Sequence, residues 1–285
     1  AETYPVPAAA ITRPTTQYPL TEEKELTMQG SFIWYELMPT DTASAAEFYT
    51  RVVGWTAKDS GIPGVDYTIL AVPGFDMGVA GMMQLTEEMK ARGIPPNWTG
   101  YVAVDDVDAM VEKFSGHGGQ VHHAPEDIPG VGRFAVVADP HGAVISLLKV
   151  IMPEGPMPPE PEAGTLGTFG WAELMAGDVD EAFAFYQTMF GWEKDMAVDM
   201  GEMGTYQCFA KGGKVLGGMM RRPPMVSAPF WGYYITVEAI DAAAERVRQA
   251  GGKVIFGPQA VPGGSFILQC EDPQGAYFAL TASRR

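Results

Sequence analysis

Residues 32–38, FIWYELM, alternate so that Trp34, Glu36 and Met38 share one face of an extended segment. The period then changes. Asp41 stands as an N-cap, Ala45, Phe48, Tyr49, Val52 and Val53 fall on one helical face, and Gly54 ends the run. Strand-like pieces follow near 66–72 and 77–84. LTEEMKARG (85–93) reads as a short helix with Thr86 as cap, acids in its first turn, bases in its last and Gly93 as stop. The same order then returns: strand 99–104, helix 107–115 closed by glycines, strand 120–123, strand 133–138, a DPHG turn and strand 143–149.

The whole pattern recurs. FIWYELMPTDTASAAEFYTRVVGW (32–55) aligns with FGWAELMAGDVDEAFAFYQTMFGW (169–192) at one offset, 169 − 32 = 137, with Trp34/Trp171, Glu36/Glu173, Met38/Met175, Tyr49/Tyr186 and Trp55/Trp192 coinciding. VAGMM (79–83) matches LGGMM (216–220), WTGYVAVDDVD (98–108) matches WGYYITVEAID (231–241), and ADPHGAV (138–144) matches EDPQGAY (271–277). Identities this long at constant spacing mark a duplication. In the second copy Asp178 and Glu181 form a capping box over Ala182, Phe185, Tyr186, Met189 and Phe190, with Gly191 as stop.

Each copy divides again, giving four units of strand, helix and two or three strands near 31–84, 97–150, 168–221 and 230–283. The expected organisation is a Pro-rich arm (1–30), a first domain (31–150), a linker (151–167) and a second domain (168–285). Short strands joined by tight turns, with helices on one side, place the fold in the α+β class. The arm is a candidate strap for its own domain or for a second copy in a homodimer.

With 285 residues and 46% hydrophobic composition, the chain can bury two ordinary cores. Its formal charge of −16 repels phosphate backbones, and no Lys/Arg stripe offsets it, so nucleic-acid binding is not expected. Apolar runs are too short for a membrane span. Cys208 and Cys270 are too few for a disulfide framework or a Cys-rich zinc site and read as buried free thiols. A cytoplasmic location is expected; export after loss of a signal peptide is the alternative. Neither a P-loop nor a dinucleotide fingerprint occurs.

The strand ending before Asp41, the helix AEFYTRVVGW, VDDVDAMVEKFSGHGG and the closing DPHGA hairpin resemble the vicinal oxygen chelate superfamily of glyoxalases, bleomycin-resistance proteins and extradiol dioxygenases. The WxEL opening, the duplication and the xFYxxxxGW helix resemble, within it, tandem glyoxalase-like proteins of the mycobacterial culture-filtrate antigen type. The resemblance implies paired βαβββ units that curl each sheet into a ligand-holding cup. It also implies a divalent metal that chelates adjacent substrate oxygens as a Lewis acid. By this resemblance the metal-ligand positions fall at Trp34/Trp171, near Thr99/Gly232, and at Ser146/Ala279, none an imidazole or carboxylate. No metal ligand is therefore assigned, and a divalent ion would need a different site. His117, His122, His123 and His141 all lie in the first copy and read as structural or solvated residues.

The resemblance turns the face bearing Trp34, Glu36 and Met38, and that bearing Trp171, Glu173 and Met175, into the cup. Desolvation would raise a carboxylate's pKa there and suit it to general-base work, which makes Glu36 and Glu173 the candidate catalytic residues. The competing reading is structural, with each glutamate accepting hydrogen bonds that close the sheet. Arg133 is a candidate partner of Glu36, but its counterpart is Phe266. Tyr67/Tyr206 and Tyr101/Tyr234 align between copies and, with the tryptophans, methionines and Arg133, complete the candidate binding residues for a small organic molecule. Two functions stay open: a glyoxalase-like isomerase, lyase or oxygenase using Glu36 or Glu173 as base, and a non-catalytic protein that sequesters or senses its ligand.

Overall fold

The computed structural model describes residues 28–61, 66–75, 77–151 and 161–285; the arm up to residue 27 and linker residues 152–160 lie outside the described residues. The first domain runs β1 (Phe32–Met38), α1 (Thr42–Val53), β2 (Thr56–Asp59), β3 (Thr68–Ala71), β4 (Gly78–Met82), α2 (Glu87–Ala91), β5 (Asn97–Ala103), α3 (Val107–Gly116), β6 (Gln120–Ile128), β7 (Gly132–Ala138) and β8 (Val144–Val150). The second runs β9 (Phe169–Ala176), α4 (Val179–Phe190), β10 (Glu193–Asp199), β11 (Thr205–Lys211), β12 (Lys214–Arg221), β13 (Phe230–Thr236), α5 (Ile240–Gln249), β14 (Lys253–Ala260), β15 (Phe266–Glu271) and β16 (Tyr277–Ala282).

Each domain is one eight-stranded sheet, ordered β2-β3-β4-β1-β5-β8-β7-β6 and β10-β11-β12-β9-β13-β16-β15-β14. The two units of a domain meet at antiparallel β1 and β5, or β9 and β13, while β1/β4 and β5/β8 are parallel within their units. The α+β expectation of paired βαβββ units holds. In the first copy β2 escaped the pattern because TAKD (56–59) is exposed throughout and carries no alternation.

The predicted caps form. Asp41 accepts from the Ser44 amide at 3.1 Å and Gly54 closes α1 at φ 92°, where L side chains are strained. Asp178 accepts from the Glu181 amide at 3.0 Å. The Glu181 carboxylate does not complete a capping box; it pairs instead with His141 Nε2 at 2.9 Å across the domain boundary. His141, expected to be a solvated turn residue, is therefore a half-buried interdomain contact.

Alternation along β1 sends Leu37 into a central core shared by both domains and leaves Trp34, Glu36 and Met38 on the opposite, concave face. The helices pack in that core, α1 on α5 and α3 on α4, so each domain's first helix rests on the other domain's second. The Tyr49 hydroxyl donates to Asp272 at 3.1 Å and accepts from Trp98 Nε1 at 2.9 Å; Tyr186 does the same with Asp139 at 3.3 Å and Trp231 at 3.0 Å. Asp139 and Asp272 are the DPxG aspartates. Trp55 and Trp192, the last residues of the xFYxxxxGW motif, donate to Gly167 and Gly30 carbonyls in front of the opposite domain's first strand. Across the same boundary the rings of Tyr35 and Phe169 stack at 3.8 Å, worth about 0.5–1.5 kcal/mol beyond their burial. The most recognisable motifs of the repeat thus clamp the domains together. Among the described residues no helix is long and apolar enough to cross a membrane.

Candidate functional site

Glu36 sits on β1 opposite Thr99 of β5, only 7% exposed. Its two carboxylate oxygens accept from the Tyr67 hydroxyl at 2.9 Å and the Tyr101 hydroxyl at 3.0 Å, and Trp34 Nε1 donates to Tyr67 at 2.9 Å. A chain of donors from indole to phenol to carboxylate results. Burial pushes the Glu36 pKa up, and the tyrosine hydrogen bonds partly oppose the rise. Burial and the Glu36 charge in turn raise both tyrosines, which remain protonated donors.

The second domain repeats the relay. Tyr206 and Tyr234 donate to Glu173 at 2.9 Å each, Trp171 Nε1 donates to Tyr206 at 2.9 Å, and Gln269 Nε2 donates to Tyr234 at 3.0 Å. Glu173 is 2% exposed, and burial raises its pKa to about 7. Glycines make both relays fit. Tyr67 crosses Gly81, where a Cβ would fall 2.0 Å from its hydroxyl, and Tyr206 crosses Gly218, where a Cβ would fall 2.1 Å from its ring. This close approach explains the glycines in VAGMM and LGGMM.

The cups differ in access. Trp34, Glu36, Met38, Tyr67 and Tyr101 line a cleft of about 1900 Å³ whose walls are otherwise mostly aliphatic, methionine and aromatic side chains and which extends to Lys211, Phe230, Trp231 and Tyr277 of the second domain. Trp171, Met175, Tyr206 and Tyr234 are each buried to 4% exposure or less in a packed cluster with Cys208, Met220 and Ile267, and none lines that cleft. In the closing strands the copies align at 271 − 138 = 133. Gln269 and Tyr277 accordingly replace Val136 and Val144, as the strand registers confirm. Tyr277 lies over Gly232, with its ring within 2.8 Å of where a Cβ would stand, and against Phe230 at 4.9 Å. Gln269, buried against Glu173, and Tyr277, whose ring also reaches the edge of the cleft, add bulk to the second cup where the first has valines.

Arg133 is not a partner of Glu36. Its guanidinium takes Asp108 at 2.7 Å and Asp127 at 2.9 Å and lies outside the cleft lining. The geometry is simple: Arg133 is on β7 next to Phe134, which lines the cleft, and successive strand residues face opposite sides. Sequence reading also missed Gln269, Tyr277 and Gly81. The first two are visible as departures from the repeat, whereas Gly81 becomes meaningful only once Tyr67 is seen to cross it.

At the positions the resemblance gives to metal ligands, Trp34 donates to Tyr67, and Thr99 and Ser146 hydroxyls lie 3.1 Å apart. Among the described residues, no group of three or more His, Cys, Asp or Glu side chains converges.

Comparison with known proteins agrees with this architecture. The model of the Glyoxalase/Bleomycin resistance protein/Dioxygenase superfamily matches twice, over residues 31–147 and 168–280. CFP32 of Mycobacterium tuberculosis, a protein named as a glyoxylase, is 34% identical over 264 residues, covering 88% of this chain and 94% of its own. The anthracycline biosynthesis protein DauV of Streptomyces sp. strain C5 is 30% identical over 273 residues, covering 90% and 94%. Among solved structures, the Mn(II)-bound glyoxalase from Novosphingobium aromaticivorans superposes with a TM-score of 0.59 at 15% identity, covering 90% of this chain and 83% of that one. The 2,3-dioxygenase LapB of Pseudomonas sp. KL28 does so with a TM-score of 0.60 at 12% identity, covering 91% and 94%. The polar groups around the Glu36 carboxylate are the phenols of Tyr67 and Tyr101 and the hydroxyls of Thr99 and Ser146. By its two family-model matches and its full-length relatives, the chain belongs to the Glyoxalase/Bleomycin resistance protein/Dioxygenase superfamily.

Proposed function

We propose that the first cup binds a flat, largely apolar organic molecule carrying an acidic hydroxyl, and that Glu36 receives that proton. The observation carrying this reading is the contrast between two copies of one relay: Glu36 and its tyrosines line a cleft, whereas Trp171, Tyr206 and Tyr234 are packed in a buried cluster. Aromatic and methionine walls suit a planar ligand, and methionine adapts to irregular shapes. A carboxylate with an upward-shifted pKa is a better-matched base near neutrality than an exposed one. A relative named for anthracycline biosynthesis is in keeping with a polycyclic aromatic ligand.

A second reading, sequestration without turnover, draws on one observation: both Glu36 oxygens already accept from tyrosines. In that case Glu36 only accepts a hydrogen bond. Titration with a monohydroxyanthraquinone, followed by quenching of tryptophan fluorescence, tests the cup. One saturable site is expected, weakened about tenfold in Glu36→Gln by loss of a charge-assisted hydrogen bond and unchanged in Glu173→Gln. Equal loss in both variants, or in neither, refutes the assignment. Mass analysis of the bound compound after long incubation separates turnover from sequestration.

A further inference from the structure

The two cups are internal controls for one another, and their differences extend beyond the plug. β6 and β14 carry the same interruption of register, between Val121 and His123 in one and between Val254 and Phe256 in the other. The bulge in β6 brings forward His123, whose ring stacks on Phe134 with centroids 4.9 Å apart and planes inclined by 15°. Its Nε2 lies 2.8 Å from Glu126, three residues on. Both residues line the same cleft as Glu36. At the equivalent positions, 133 further along, the second domain has Phe256 and Gln259. The fold therefore keeps this bulge without an imidazole or its carboxylate. A purely structural role for the pair would have no reason to be confined to the open cup.

Glu126 orients the ring at a partly exposed site, the side chains being 43% and 64% exposed: in the tautomer that donates Nε2–H to the carboxylate, Nδ1 is the acceptor. Between His123 and Glu36 the cleft floor consists of Val136, Ser146 and Thr99, small side chains along β7, β8 and β5. In the second cup that path is crossed by Gln269 and Tyr277. β1 and β6 are four strand spacings apart in the sheet order, about 19 Å along the surface and less across the curl.

We propose that His123, oriented by Glu126, is a second polar anchor of the first cup, and that the cup takes an elongated multi-ring aromatic with an oxygen function at each end. Glu36 holds one end and His123 Nδ1 accepts the hydroxyl of the other. The inference rests on the assignment of the first cup as the binding site and adds the ligand's length and second functional group. His123 is a binding residue here and Glu126 a positioning residue.

Two probes separate the anchor from the site itself: anthraflavic acid, an anthraquinone with a hydroxyl at each end, and the monohydroxyanthraquinone with only one. Titration of the full chain by tryptophan quenching is expected to show anthraflavic acid bound about tenfold more tightly, the contribution of one further hydrogen bond to a defined acceptor. His123→Phe, which installs the residue of the second copy, should bring the two probes to equal affinity. Glu126→Gln, again the residue of the second copy, should reduce the preference in part. Equal affinity of wild-type protein for both probes, or a preference that survives His123→Phe, overturns the second anchor and leaves the Glu36 site standing. Failure of both probes to bind wild-type protein overturns the ligand class of the cup together with the anchor.

Discussion

Glu173→Gln removes a carboxylate that the folded protein holds in an almost dry pocket and that the unfolded chain exposes to water. Burial carries this group from its ordinary 4.5 to about 7. At about 1.4 kcal/mol per pH unit, that displacement corresponds to about 3 kcal/mol of folding free energy. The sign follows from proton counts. Between pH 4.5 and 7 the folded chain keeps the proton and the unfolded chain has lost it, so stability from this group is complete below the unfolded value and falls as pH rises through the folded one. Glutamine keeps the shape and does not titrate, so its hydrogen-bonding penalty or gain against Tyr206 and Tyr234 is a constant offset. Urea unfolding of wild type and variant at pH 5, 6, 7 and 8 is therefore compared as a difference. The variant should gain about 2–3 kcal/mol on wild type between the extremes, part of the difference being already present at pH 5, and the gain should appear in the midpoint with little change in slope. Glu36 and the other carboxylates titrate alike in both proteins and cancel. Parallel pH profiles would refute the reasoning, because they would mean that Glu173 is solvated or that its charge is fully answered by the tyrosines.

Gly81→Ala forces Tyr67 off Glu36, since its Cβ would fall 2.0 Å from the phenol oxygen. Hydroxyanthraquinone affinity should fall about as far as in Glu36→Gln, while thermal stability falls modestly because Tyr67 can swing into the open cleft. Gly218→Ala has no such escape around the buried Tyr206 and should cost about 2–3 kcal/mol in denaturant titration, with binding to the first cup kept. Tyr49→Phe and Tyr186→Phe each leave a buried aspartate short of a donor and a tryptophan N–H short of an acceptor. Each should cost about 1–3 kcal/mol, and calorimetry should still show a single transition, since the core they clamp belongs to both domains.

Much of the fold was readable because the chain states it twice. The period change after Met38, the Asp41 and Asp178 caps and the glycine stops are local signals, and recurrence at a fixed offset removes their ambiguity. The relay was readable in part: Trp34, Glu36, Tyr67 and Tyr101 were singled out with their counterparts, although which hydroxyl meets which oxygen depends on a register set by pairing across the sheet. Arg133 was misplaced because residue type suggested a partner for a buried acid, whereas facing decides it, and one step along β7 separates the cleft from the outer surface. His141 was misread for another reason. Its partner, Glu181, belongs to the other domain, and no pattern within one copy reports a contact across the boundary. Likewise the xFYxxxxGW and DPxG motifs resemble the family's signatures, but what holds their residues here is the opposite domain, through Tyr49, Tyr186, Trp55 and Trp192.

The persistence of the relay in the closed cup bears on what the relay is for. Glu173 keeps two tyrosine donors, an indole behind one of them and an added amide, all where the cup is packed shut. A carboxylate so held joins the strands of the sheet: Tyr206 reaches it from β11 and Tyr234 from β13, and withdrawing either leaves a buried acid one donor short. In the second cup the arrangement is thus held as a link between strands. The binding proposed for the first cup rests on additions to that element. Val136 and Val144 stay small, which admits a ligand, and His123 with Glu126 supplies a second polar group. The test of function accordingly lies at these four positions as much as at Glu36. Transplanting Gln269 and Tyr277 into the first cup, as Val136→Gln with Val144→Tyr, should abolish probe binding with the Glu36 relay intact. Binding that survives the double substitution would place the ligand elsewhere.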